Sequence, residues 1–159
     1  MRRVFSLSAF LALLGVWAFP GSAQAQEQTI IGAWITTAWE GQEADPQPGM
    51  LIFTETHYSM MFVPAGMIRE EYTGEEMTDA EMLAAFQTLV ANSGRYTRSG
   101  DEITTEAYVA LNPNYMARWG ENQLTYTFQI EGDLLHLTWP AGFARADAPP
   151  FTGTFRKVE

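Results

Sequence analysis

Between residues 124 and 139 the chain alternates with a period of two. Leu124, Tyr126, Phe128 and Ile130 interleave with Thr125, Thr127 and Gln129; a Glu131-Gly132-Asp133 turn follows, and Leu135 and Leu137 then flank His136. Successive side chains of a strand point to opposite faces, so such segments fold with one face dry and one wet. The pattern recurs upstream. Tyr58, Met60 and Phe62 alternate with Ser59, Met61 and Val63, and Ile30 to Trp39 places Trp34, Thr36 and Ala38 on one side. Further strands are expected over Met50–Phe53, Arg95–Arg98, Ile103–Leu111 and Phe151–Val158. The breaks carry turn chemistry: Thr54-Glu55-Thr56-His57, Ser99-Gly100-Asp101 and Asn112-Pro113-Asn114. About eight strands at this spacing predict a sandwich or barrel, and nearest-neighbour connections favour an up-and-down antiparallel β-barrel.

One segment breaks the pattern. Thr78-Asp79-Ala80-Glu81 is a capping box, and Met82, Leu83, Phe86, Leu89 and Val90 then recur at helical spacing. These residues predict one amphipathic helix over 79–92, with Gly94 as its stop and its apolar face laid on a side or mouth of the barrel.

The N-terminus reads as a secretory signal peptide. Arg2-Arg3 is a basic n-region, Val4 to Phe19 is apolar, and Ala23-Gln24-Ala25 is a small-x-small cleavage site. Arg2-Arg3 also fits twin-arginine export, but the n-region is very short for that route, so ordinary secretion is expected. Residues 1–25 are therefore the signal peptide and residues 26–159 one domain, secreted or periplasmic, with no membrane insertion after cleavage. Removing that segment leaves 134 residues and takes away Arg2, Arg3 and no acid, so the net charge moves from −10 to −12. An acidic chain with scattered cations argues against nucleic acid. The chain has no cysteine, which excludes disulfides, thiol catalysis and thiolate metal sites. Such a domain must hold itself together by its core, in keeping with a 47% hydrophobic content.

The ordered motifs resemble the bacterial and fungal lipocalin-like domain family. They are Gly32-Ala33-Trp34, Leu51-Ile52-Phe53-Thr54, Tyr58-Ser59-Met60, Ala84-Ala85-Phe86, Gly94-Arg95-Tyr96, Asn112-Pro113-Asn114-Tyr115 and Glu131-Gly132-Asp133-Leu134, with Arg156 near the end. The resemblance spans roughly residues 30 to 157. It implies an eight-stranded barrel around one cavity, plugged at one end by Trp34, with Gly32 allowing close backbone approach and Arg156 packed on the indole. The family carries histidines where this chain has Thr105 and Glu106, and an arginine near Tyr126, so the resemblance implies a different cavity chemistry here.

The chemistry-bearing residues are few. No Gly-x-Ser-x-Gly elbow, phosphate loop or dinucleotide fingerprint is present. His57 falls in a turn, and Glu70-Glu71 with Glu75-Glu76 read as a solvated acidic stretch, so no metal and no cofactor is expected. His136 and Glu106 could form a base and its orienter if their strands share a face, which period alone leaves open. The strands are rich in aromatic residues, among them Trp34, Trp39, Trp139 and Phe53, and Trp119 adds to that load. These either fill the barrel or line an apolar pocket; in the second case Tyr58, Met60, Phe62, Glu106, Tyr108, Tyr126 and Phe128 are the expected ligand-binding residues. Gln129 and the threonines at 125, 127, 152 and 154 are expected to face solvent. The leading functional expectation is a module binding a small, largely apolar or aromatic ligand. The alternatives are an isomerase- or cyclase-type enzyme using Glu106 or His136, and an inhibitor or assembly factor acting through Asn112–Asn122 and Ala141–Pro150.

Overall fold

The computed structural model describes residues 29–42, 44–72, 74–116, 123–143 and 146–159. The expected signal peptide lies outside them. Eight strands run in sequence order: β1 (Gly32–Trp39), β2 (Gly49–Phe53), β3 (His57–Phe62), β4 (Val90–Ser99), β5 (Glu102–Ala110), β6 (Gln123–Glu131), β7 (Leu134–Trp139) and β8 (Phe151–Lys157). Each pairs antiparallel with its neighbour, and β1 closes on β8, giving a closed up-and-down barrel. Closure removes the unpaired sheet edges that an open sheet of this length would expose.

The two ends differ. Gly32, the short turns at 54–56, 100–101 and 132–133, and the C-terminus gather at one end. The described residues of the connections between β1 and β2, β3 and β4, β5 and β6, and β7 and β8 fall at the other. Trp34 plugs the short-turn end; it is fully buried, and its Nε1 donates to the Ile30 carbonyl oxygen at 2.8 Å. Gly32 has φ 138°, and a Cβ there would run into the Glu159 carbonyl oxygen. The cation over the indole is Lys157, with Nζ 5.4 Å from the ring centroid, and not Arg156 as the resemblance implied. Register is the reason: Lys157 pairs with Trp34 and shares its face, whereas Arg156 pairs with Ile35 and points into solvent.

Aromatic side chains fill the middle. Trp139 meets Trp39, Phe62, Tyr126, Phe143, Phe151 and Phe155 at centroid separations of 5.0 to 6.4 Å, and it stacks flat on Phe151. Aromatic pairs add about 0.5–1.5 kcal/mol each beyond their buried area, so this cluster is the principal tertiary anchor.

Three local expectations change. In β1 a bulge between Thr36 and Ala38 turns Ala38 outward and Trp39 inward, so the side holding Trp34 and Thr36 continues with Trp39. The helix α1 is Asp79–Gln87 and stops short of residue 92. Its capping box forms as expected, with Thr78 N donating to Glu81 Oε2 at 2.8 Å and Glu81 N donating to Thr78 Oγ1 at 3.3 Å. However, α1 buries none of its residues, and Met82, Leu83 and Phe86 remain about half exposed (50%, 56% and 47%). It does not lay an apolar face on the barrel wall. Polar contacts hold it instead: Arg69 Nη1 donates to the Ala85 carbonyl oxygen at 2.7 Å, and Arg69 N donates to Gln47 Oε1 at 2.7 Å. Finally, Val90–Gly94 is strand, not helix end. Val90 pairs with Phe62, and Asn92 pairs with Met60 and Ala110. Ladder bonds on both sides outweigh the helical spacing of Leu89 and Val90, since Val90, Asn92, Ser93 and Gly94 are all weak helix formers.

Candidate functional site

Alternation divides the expected site residues into two groups. Tyr58, Met60, Phe62, Tyr126 and Phe128 all point into the barrel and are buried. Phe62 and Tyr126 converge on Trp139, with centroids at 5.1 and 5.6 Å. Glu106 and Tyr108 lie on the outer face. On β5 the inward positions are Ile103, Thr105 and Ala107, which puts Glu106 outside, where Arg95 Nη2 and Nε donate to its Oε2 at 2.7 and 3.1 Å. That carboxylate raises the Arg95 guanidinium above its usual range. Tyr108 is 53% exposed, edge-on to His57 at 6.0 Å.

His136 also faces outward, between buried Leu135 and Leu137. Its Nδ1 lies 3.1 Å from Thr154 Oγ1 and its Nε2 lies 4.0 Å from Glu131 Oε2. Strand β6 separates its strand from that of Glu106, and the two residues have different partners, so the conceivable base–orienter pair is not assembled. Among the described residues no three His, Asp or Glu side chains converge to hold a metal ion.

Inside the barrel a polar layer crosses the aromatic core. Thr105 Oγ1 donates to the Leu124 carbonyl oxygen at 3.2 Å, Tyr115 OH lies 3.4 Å from Thr105 Oγ1, and Tyr115 OH lies 3.3 Å from Tyr126 OH. Burial pushes the Tyr58 phenol well above its usual range, with Tyr115 adding to the effect. Burial raises Tyr126 in the same way, again with help from Tyr115. Both phenols are therefore neutral at physiological pH, so this layer can make hydrogen bonds but holds no phenolate base. Several buried polar atoms have no partner among the described residues: Thr36 Oγ1, Trp39 Nε1, Tyr58 OH, Asn92 Oδ1 and Trp139 Nε1.

Above this layer, at the end with the long connections, lies a cavity of about 540 Å³. Phe86, Val90, Leu124 and Phe143 form much of its apolar wall, and Asn92 and Tyr115 supply polar atoms. Its size and mixed lining are those of a small-molecule pocket. A larger concavity of about 690 Å³ lies on the outer wall among Thr127, Gln129, His136, Thr138, Thr152 and Thr154. It is open to solvent, and its side chains bond one another, as between Thr138 and Thr152 at 2.9 Å. The mouth is the better candidate because it joins apolar walls to Tyr115 of the polar layer.

Asn92, Tyr115, Phe86 and Phe143 were not among the expected ligand residues. Asn92 was hidden in the expected helix, although Val90, Asn92, Gly94 and Tyr96 have the period of two that reveals it. Tyr115 closes the Asn-Pro-Asn-Tyr motif, which forms a short 3₁₀ turn at Pro113–Tyr115 that aims the phenol at the barrel. The loops at 112–122 and 141–150, expected as a contact surface, contribute Asn112, Tyr115, Gly142 and Phe143 to the mouth. Trp119 and the rest of 117–122, with 144–145, lie outside the described residues.

The fold is a closed, sequentially wound eight-stranded antiparallel barrel with Trp34 buried at its short-turn end. Among solved structures the chain is similar to a lipocalin-like protein from Bacteroides uniformis, at 14% identity and a TM-score of 0.42, over 80% of this chain and 97% of that one. It is also similar to an uncharacterized protein from Bacteroides eggerthii, at 13% identity and a TM-score of 0.41, over 80% and 98% of the two chains. No family model and no curated protein matches the chain.

Proposed function

We propose that this protein is exported to the periplasm or the cell exterior and binds a small, largely apolar or aromatic molecule at the open mouth of its barrel. The observation that carries this reading is the 540 Å³ cavity, walled mainly by apolar side chains and resting on a packed aromatic core. The ligand sits in the mouth and does not run down the barrel axis, because Trp139 and its ring neighbours occupy that space. A two-ring aromatic ligand losing about 200 Å² of apolar surface gains roughly 5 kcal/mol before the loss of its free motion is counted. That supports binding of simple probes in the range of about 0.2 mM and weaker.

Equilibrium dialysis of the mature protein against 2-methylnaphthalene tests the reading. Saturable binding at one molecule per chain is expected, with quenching of tryptophan emission, since Phe143 of the cavity wall touches Trp139 at 6.4 Å. Ala110 lines the cavity, so Ala110→Trp should reduce affinity about tenfold or more while Ala110→Ser retains it. Absence of saturable binding, or binding indifferent to Ala110→Trp in a folded protein, would overturn the mouth as the site. Intact mass of the exported protein should correspond to a chain beginning at Gln26.

A further inference from the structure

We propose that α1 is a gate of the mouth, held shut by Arg69, and that the ligand enters and leaves when this latch opens. The gate rests on the proposed binding at the mouth and adds how that site is entered.

The walls of the cavity are anchored unequally. Val90, Asn92, Ala110 and Leu124 belong to strands of the closed barrel. Phe143 packs against Trp139 and Phe151 at centroid separations of 6.4 and 6.1 Å. Tyr115 OH is within reach of Tyr126 OH and Thr105 Oγ1. Phe86 and Gln87 are the exception, because they stand on the last turn of α1. That helix buries none of its residues and has no extensive packing against any strand. At nine residues it is also too short to persist on its own in water.

A cation from another segment keeps α1 in place. The helix carries Asp79 and Glu81 in its first turn and no basic residue in its last, so its C-terminal carbonyls have no cation of their own. Arg69 supplies one from the connection between β3 and α1. Its Nη1 donates to the Ala85 carbonyl oxygen at 2.7 Å and to Thr88 Oγ1 at 3.4 Å. Among the described residues these are the hydrogen bonds that reach the C-terminal end of α1 from another segment, and Arg69 makes no ion pair there. The backbone of Arg69 is fixed in turn: its N donates to Gln47 Oε1 at 2.7 Å, and Gln47 Nε2 donates to its carbonyl oxygen at 3.3 Å. The latch therefore ties α1 to the connection between β1 and β2. Arg69 is exposed, so the latch opens by local motion without uncovering the core.

Arg69 lies outside the cavity lining, which makes it a positioning residue acting through Phe86 and Gln87. Opening precedes both entry and exit. A weaker latch speeds both by the same factor and leaves their ratio unchanged while the closed form stays the major one. A residue that only shaped the wall would change affinity, and a merely structural one would destabilise the barrel.

Two measurements on the mature protein test the gate. Hydrogen exchange of the ligand-free protein, read by NMR, should quicken about five- to tenfold at the α1 amides in Arg69→Met, with β5 to β8 unchanged. Arg69→Lys keeps a donor and the charge, so it should restore most of the protection. NMR line shapes in titrations with 2-naphthol should show association and dissociation rates both raised about five- to tenfold in Arg69→Met, at a Kd within about twofold of wild type. Gln47→Ala should move both rates the same way by a smaller factor, and it serves as the test if Arg69→Met does not fold. Unchanged exchange at α1, rates indifferent to the latch in a protein that binds 2-naphthol, or a weaker Kd at an unchanged association rate would overturn the gate and leave mouth binding intact. If 2-naphthol shows no saturable binding, the mouth itself is refuted, and the gate falls with it.

Discussion

Gly94 offers the sharpest test of the fold. As a helix stop it would occupy a left-handed conformation, where alanine costs about 1 kcal/mol and asparagine is well tolerated. In the structure it lies within β4 at a bulge, buried, and its φ is not positive. A Cβ built there would collide with the Glu106 carbonyl oxygen and approach Ala107 Cα and Tyr108 N to 2.8 Å each. All three are backbone atoms of β5, so no side-chain rotation relieves the crowding; the strands must separate. Overpacking of this kind costs about 1–3 kcal/mol, and one weakened ladder hydrogen bond adds about 1 kcal/mol. A destabilisation of about 3 kcal/mol is expected for Gly94→Ala, and more for Gly94→Asn because the side chain is larger. For a domain of this size, 3 kcal/mol lowers Tm by about 10 °C. Thermal and urea unfolding followed by circular dichroism would measure both variants. A Gly94→Ala shift below about 3 °C, or a Gly94→Asn variant as stable as wild type, would refute the strand-packing argument.

Two further outcomes follow from the geometry. Lys157→Ala should cost about 0.5–1 kcal/mol by removing the cation over Trp34, while Arg156→Ala stays within about 0.5 kcal/mol of wild type; urea midpoints in the reverse order would show the clamp to be misassigned. Tyr58 and Tyr126 are raised above their unfolded value of 10.0, chiefly by burial, so the folded state favours their protonated forms. Their contribution is complete below pH 10 and is lost as pH rises beyond it, so urea midpoints should fall above that pH. The combined Tyr58→Phe, Tyr126→Phe variant should flatten this alkaline fall, and an unchanged fall would place its origin elsewhere.

The local chemistry of the chain was enough to place most of the architecture. Turn residues at 54–57, 99–101 and 131–133 mark hairpins that form where expected, and the Thr78–Glu81 capping box starts α1 at the expected residue. The inward set Tyr58, Met60, Phe62, Tyr126 and Phe128 is legible because each strand obeys an unbroken two-residue period. These signals involve residues within a few positions of one another, so no knowledge of distant partners is needed.

What depended on distant partners could be decided only by the closed barrel. Glu106 and His136 alternate as cleanly as Tyr126 does, yet period alone does not say which side of a strand is inside. Pairing with Arg95 and Thr154 on neighbouring strands puts both residues on the outer wall. The same holds for the change from Arg156 to Lys157 at Trp34, a one-residue matter of register between the first and last strands. Val90–Gly94 has helical spacing and becomes strand because β3 and β5 are both there to bond it. The mouth draws Phe86, Asn92, Ala110, Tyr115 and Phe143 from separate parts of the chain. Local periodicity determined which segments are strands; barrel closure, through register and bulges, decided which side chains meet, because cross-strand pairing joins residues that sequence distance keeps apart.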